Sequence, residues 1–120
     1  MFVGTITGIV DFIFPGKTKI MKVMIDEPQY ENLLSQLNCI CDHFKIMRFF
    51  GTGAIEHTHD GTHCYNVDVK LDKHDNVSEF VPFLKKEVVI RYCLKPYKIG
   101  QNTSINVKMT DIQMNENKVP

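Results

Sequence analysis

Hydrophobic and polar positions alternate most regularly toward the C-terminal end of the chain. From Glu87 onward Val88, Ile90, Tyr92 and Leu94 take one phase and Val89, Arg91, Cys93 and Lys95 the other, the period of two of a strand with one buried face. A second run repeats this with Ile105, Val107 and Met109 against Asn106 and Lys108, after which Ile112 and Met114 fall in the opposite phase. One extra residue would produce that slip, so a β-bulge is predicted near Thr110 and Asp111. Between the two runs, Pro96, Gly100 and the polar stretch Gln101 to Ser104 carry turn chemistry and predict a loop.

The rest of the chain extends the β pattern and interrupts it once. Met1 to Phe14 mixes Val, Ile, Thr and Phe with Gly4 and Gly8, a strand composition with places to bend. Phe14-Pro15-Gly16-Lys17-Thr18 is a tight-turn signal, and Lys19 to Ile25 resumes alternation, so the two segments predict an antiparallel hairpin. Gly16-Lys17-Thr18 is not a phosphate-binding loop, because the position needing the upstream glycine is Asp11. From Pro28, Tyr30, Leu33, Leu34, Leu37, Cys41 and Phe44 make one apolar stripe at helical spacing, and Asp26 or Glu27 supplies N-terminal chemistry. Lys45 to Ile55 and Cys64 to Leu71 predict a further strand pair. Asn76 to Leu84, interrupted by Pro82, predicts one short helical turn, and residues 115–120 a frayed tail.

At 120 residues with 43% hydrophobic and 23% charged positions, the chain reads as one soluble domain over 1–120. No apolar run is long enough to cross a membrane, and the first residues lack a basic n-region and a small-residue cleavage site, which predicts an intracellular, non-secreted protein. The four cysteines include no CxxC pair, in keeping with free thiols in a reducing compartment.

Charge changes the picture locally. The net charge is zero, yet Lys85 to Lys108 holds six basic residues against the single Glu87, a local net of +5. Tyr92 and Tyr97 are interleaved there with Arg91, Lys95 and Lys98, and Lys108 follows on the next strand. Rings for bases to stack on, with cations for the phosphates between them, are what single-stranded nucleic acid needs. Arg48 beside Phe49 and Phe50 is a lesser candidate of the same kind. The alternative is an amphipathic hairpin with Tyr92 half buried and lysines that keep an edge strand from pairing with neighbours.

A second chemistry competes at the stretch EHTHDGTHC. His57, His59, His63 and Cys64 are ligands a transition metal accepts, with Glu56 or Asp60 to complete a site, and Asp60-Gly61 reads as the hairpin turn between them. Their spacing matches no established zinc motif, and an exposed polar hairpin tip is the other reading. Protonation of these histidines in mild acid would add positive charge. Neither a nucleophile elbow nor a paired-carboxylate pattern accompanies them, so no enzyme is read here and no cofactor is required.

These elements predict a mainly β protein: a five-stranded antiparallel β-barrel, OB-fold-like, with one long and one short helix. The segment VVIRYCLKPYKIGQNTSINVKMTDIQM resembles the closing hairpin of OB-fold single-stranded DNA-binding proteins of bacteriophages and large DNA viruses. In that family a Lys-Pro-Tyr-like element leads through a glycine-containing loop to a last strand matched here by Ser104, Ile105, Val107, Lys108, Ile112 and Gln113. The resemblance covers about a quarter of the chain. It implies a viral protein of the host cytoplasm or nucleus that coats single-stranded DNA in replication, recombination or repair, DNA being favoured over RNA, with Lys95, Tyr97, Lys98, Arg91 and Lys108 on the strand. A homodimer is a further expectation. The chain departs from the family in lacking an acidic tail and in placing its long helix after the second strand instead of between the third and fourth. A β-barrel interaction or accessory module and a metal-binding protein are the alternative functions.

Overall fold

The computed structural model describes residues 2–17, 19–44, 49–50, 55–59, 61–72, 74–99 and 102–115. The predicted N-terminal hairpin is present as β1 (Val3–Phe14) and β2 (Ile20–Asp26), paired antiparallel from Ile9↔Met24 to Phe14↔Ile20. Its irregularity sits where the register passes from Val10↔Val23 to Phe12↔Lys22, so Asp11 is the extra residue of a bulge. Gly4 and Gly8, expected as bending points, serve close approach instead. A Cβ at Gly4 would run into the Tyr92 ring, and one at Gly8 into the Met24 carbonyl oxygen.

Helix α1 (Glu27–Phe44) begins where Asp26 Oδ1 accepts a hydrogen bond from Gln29 N at 3.2 Å, an N-cap made by the last residue of β2. Its buried face is Leu33, Leu37 and Ile40, with Tyr30, Leu34 and Cys41 packed beside them. Each fully buried aliphatic contributes about 1.5–3 kcal/mol. The short second helix is a 3₁₀ segment, Val77–Phe83, capped by Asn76 Oδ1 accepting from Ser78 N at 3.1 Å, and it plants Phe80 in the core. No helix among the described residues is long and apolar enough to cross a membrane.

Of the strand expected over Lys45 to Ile55, the described residues yield β3 (Phe49–Phe50) and the start of β4 (Ile55–His59); positions 45–48 and 51–54 lie outside the described residues. β4 is the hairpin partner of β5 (Thr62–Lys70), with His59↔Thr62 flanking a turn in which Gly61 takes φ +77°, a conformation that favours glycine.

The C-terminal strands are longer than expected. β6 (Glu87–Ile99) and β7 (Asn102–Met114) pair from Val88↔Met114 to Ile99↔Asn102, so the predicted loop shrinks to positions 100–101, outside the described residues. Pro96 lies in the strand opposite Ile105, not in a turn. β1 pairs with β6 only as far as Cys93, so the missing N–H of Pro96 leaves no ladder bond broken on that side. The bulge read from the phase slip is there: Arg91 pairs with Asp111 and Tyr92 with Met109, leaving Thr110 as the extra residue.

The protein is mainly β. Among the described residues, seven strands form one sheet in the order β3-β7-β6-β1-β2-β5-β4, with β5 also paired to β7 through Val69↔Val107 and Lys70↔Lys108. The sheet is mixed where an all-antiparallel one was expected, because β3–β7 and β5–β7 are parallel. β6 runs against both neighbours, so its hairpin return sends β7 in the direction of β5. The inward phases of β1, β2, β5, β6 and β7 meet α1 and Phe80 in a single core that includes Ile6, Val23, Val67, Ile90, Tyr92 and Val107.

Candidate nucleic-acid interface

The bulge at Asp11 decides which side of β1 faces outward. Before it Ile6 and Val10 point inward, and after it Ile13 does, so Phe12 and Phe14 turn to the surface, 49% and 40% exposed. Their rings meet edge to face with centroids 4.7 Å apart. Lys22 Nζ lies 5.7 Å from the Phe14 centroid, a cation over a ring, and 2.9 Å from Asp68 Oδ1 on β5. Phe14, Pro15, Gly16, Lys17, Ile20, Lys22 and Asp68 line a hollow of about 340 Å³ here.

Lys17 also lines a second, larger cleft of about 710 Å³, built from Lys17, Lys19, Lys70, Leu71, Asp72, His74, Lys95, Pro96, Asn106 and Lys108. Among the described residues that line it are five lysines and one acid, Asp72. Three parts of the chain meet there: the β1–β2 turn, the end of β5 with the loop after it, and the β6–β7 hairpin. The loop is held by Asp72 N donating to Asp75 Oδ2 at 3.0 Å, His74 N donating to Asp72 Oδ1 at 3.0 Å, and Lys19 Nζ donating to the Asp75 carbonyl. The parallel register sets Lys70 beside Lys108, and Asp72 Oδ2 stands 3.9 Å from Lys108 Nζ. A concave surface of one sign focuses potential onto an anionic ligand.

The residues named from sequence divide accordingly. Lys95 and Lys108 line the cleft. Arg91 is exposed on β6 opposite Asp111, four residues and about 13 Å along the strand from Lys95, and does not line it. Tyr97 and Lys98 continue β6 opposite Ser104 and Thr103, which settles their backbone alone. Arg48 lies outside the described residues.

Tyr92 is a correction. Its ring is 1% exposed, in the same inward phase as Ile90 and Leu94, and its hydroxyl donates to Gln36 Oε1 of α1. Burial pushes that hydroxyl's pKa above its ordinary value. No base can stack on it. Sequence reasoning missed Phe12, Phe14, Lys17, Lys19, Lys22, Lys70 and His74, which the turn and the β5–β7 pairing gather.

The histidine tip does not assemble into a metal site among the described residues, where no group of three or more His, Cys, Asp or Glu converges. His57 pairs opposite Cys64, and its Nε2 donates to Asn66 Oδ1 at 2.9 Å. Asn66 Nδ2 in turn donates to Asp11 Oδ2 at 3.2 Å, and Lys85 Nζ reaches Asp11 Oδ1 at 2.7 Å. The hydrogen bond from Lys85 lowers the Asp11 pKa. His63 falls in the other phase and pairs with Glu56 Oε1. Cys64 is buried and its thiol donates to the Thr62 carbonyl at 3.5 Å, while of His59 the backbone alone is described. The face change between His57 and His63 comes from the two-residue turn, which sets Thr58, not His57, opposite His63.

Comparison with protein-family models finds no match for the chain, and comparison with curated proteins finds none.

Proposed function

We propose that the protein binds single-stranded nucleic acid, DNA in preference to RNA, on a barrel of the OB type. The pairings β1–β2–β5–β7–β6–β1 return to their starting strand, with β5 and β7 parallel, and this supports a closed five-stranded barrel carrying β3 and β4 as additions. Inserting α1 between the second and third barrel strands, with a 3₁₀ segment before the fourth, accounts for the unusual helix position.

One observation carries the functional reading: an exposed aromatic pair and a five-lysine cleft are contiguous through Lys17. Bases stack on Phe12 and Phe14 while Lys22, Lys17 and the cleft lysines neutralise the phosphates. No cofactor enters this mechanism.

Fluorescence anisotropy with labelled oligothymidylate, at low and moderate salt and with matched duplex as control, tests it. Binding to the single strand that weakens steeply with salt and exceeds duplex binding is expected. Absence of binding at low salt overturns the reading and leaves a β-barrel interaction module as its successor.

A further inference from the structure

The outer face of the sheet does not end at the aromatic pair, and the strand register shows what lies next to it. Phe12 pairs with Lys22 and Lys22 with Asp68, which puts the three in one row across β1, β2 and β5. The neighbouring row, about 7 Å away along the strands, pairs Met24 of β2 with Asn66 of β5, and the bulge residue Asp11 reaches into it from β1. Across β2 the two polar side chains meet, Asn66 Nδ2 donating to Asp11 Oδ2 at 3.2 Å.

That amide is held in one orientation. The ionised Asp11 carboxylate only accepts, so the Asn66 atom facing it is the nitrogen that carries the N–H groups. Lys85 Nζ fixes the carboxylate from its other oxygen at 2.7 Å. Asn66 Oδ1 is thereby turned to His57, whose Nε2 donates to it at 2.9 Å. A primary amide has two N–H donors and two lone pairs on oxygen, and one of each is used here. Among the described residues nothing hydrogen-bonds to the others. From β1 toward β4 the row therefore offers an acceptor at Asp11 Oδ2, a donor at Asn66 Nδ2 and an acceptor at Asn66 Oδ1. The Asp11 side chain is 45% exposed and Asn66 is partly exposed, so these groups are open to a ligand.

We propose that Asp11 and Asn66 read the edge of the base stacked on Phe12 and select adenine. The complement of acceptor, donor, acceptor is donor, acceptor, donor. Adenine supplies the first two through its amino group and the ring nitrogen beside it, and sets a C–H against the third. Pairing of an asparagine amide with an amino group and a ring nitrogen of adenine is a recurrent contact in nucleic-acid recognition. Thymine presents the same order as the protein, acceptor against acceptor and donor against donor. Cytosine sets its carbonyl oxygen against an acceptor, and guanine its ring N–H against a donor. The inference rests on the nucleic-acid reading and deepens it: the rings hold any base, and the polar row gives the preference.

The test uses the full chain and an oligothymidylate of about six nucleotides, in which one central base is thymine, adenine or hypoxanthine, titrated by anisotropy at low salt. A single replacement suffices, because a short strand shifts until the preferred base is in place. Hypoxanthine is the control for stacking, since it has the purine rings of adenine with a carbonyl oxygen and an N–H in place of the amino group and the ring nitrogen. The strand with adenine is expected to bind about tenfold tighter than the strand with hypoxanthine. That ratio should fall below about twofold in Asn66→Ala and in Asp11→Asn. Because it is taken within one variant, a general loss of affinity does not disturb it, and Asp11→Asn remains informative if Asn66→Ala unfolds. Equal affinity for the adenine and hypoxanthine strands overturns the inference and leaves the nucleic-acid reading standing. So does a preference for adenine that survives both substitutions, since the edge is then read elsewhere. If no oligonucleotide binds, the nucleic-acid reading falls and the inference falls with it.

Discussion

At its first residues β5 runs among stacked rings and a chain of polar side chains, and at its last it runs into a cluster of lysines. Around the first, His63 pairs with Glu56, the chain His57–Asn66–Asp11–Lys85 is hydrogen-bonded throughout, and Tyr65 stacks on Tyr30 with centroids 3.8 Å apart. About 17 Å further along the strand, from Tyr65 to Lys70, the same sheet sets lysine beside lysine. The first end is built to hold the hairpin on the helix. The second gathers Lys70, Lys95 and Lys108 around Asp72, the concentration of charge on which the proposed function draws.

The largest effect is expected where both ends share a foundation. Tyr92 sits in the core beneath them, so Tyr92→Ala should cost about 3–5 kcal/mol of stability in urea unfolding. Tyr92→Phe should cost about 1–3 kcal/mol, because Gln36 Oε1 loses its donor. In the Phe variant, oligonucleotide affinity should be unchanged. Weaker binding with the fold intact would return Tyr92 to the interface.

Next in size is the aromatic pair. Phe12→Ala combined with Phe14→Ala should lower affinity by about 1–3 kcal/mol for each stacked base. Stability should move little, since both rings are exposed. The equivalent removal at the paired end, Tyr65→Ala, should do the reverse, lowering the urea midpoint without touching affinity. If both substitutions weaken binding alike, the strand lies across both ends of β5 and the aromatic pair has no special part in holding it.

A smaller effect separates charge from stacking. Lys70→Gln and Lys108→Gln should each reduce the slope of log affinity against log salt by about 0.7.

Parts of this comparison were legible in the sequence and parts were not, for one physical reason. The slip at Thr110 was visible because Met109 and Ile112 change phase against polar neighbours. The slip at Asp11 was hidden because Val10, Phe12, Ile13 and Phe14 are all apolar, so alternation gives no hint of which phenylalanines turn outward. Tyr92 was readable as core from its phase with Ile90 and Leu94, and its basic neighbours on the other phase drew attention away. The cleft was beyond reach because Lys70 and Lys108 are brought together by the β5–β7 pairing, whose parallel sense no local pattern announces.

The smallest effect expected lies in the polar chain at the paired end. Asp11 is the bulge residue, and its carboxylate accepts from Lys85 and Asn66. Its pKa in the folded state is lowered below the unfolded value of about 3.9. A depressed carboxylate pKa means that the stabilisation is present above the unfolded pKa and is lost as pH falls through the folded one. Stability from this pair should therefore be flat from neutral pH down to about pH 4 and decline only below that. Lys85 is 70% exposed, so solvent screens the pair and its worth is that of a surface bridge, about 0.2–1 kcal/mol. Asp11→Asn should lower stability by that amount at pH 7, and the difference from the parent chain should shrink as pH falls below the unfolded carboxylate value and vanish once the folded carboxyl is protonated. A difference that persists in acid would mean that Asp11 acts through the shape of the bulge rather than through its charge. The outward turn of Phe12 and Phe14 would then be fixed by backbone geometry alone, and oligonucleotide affinity should survive the loss of the Lys85 bridge.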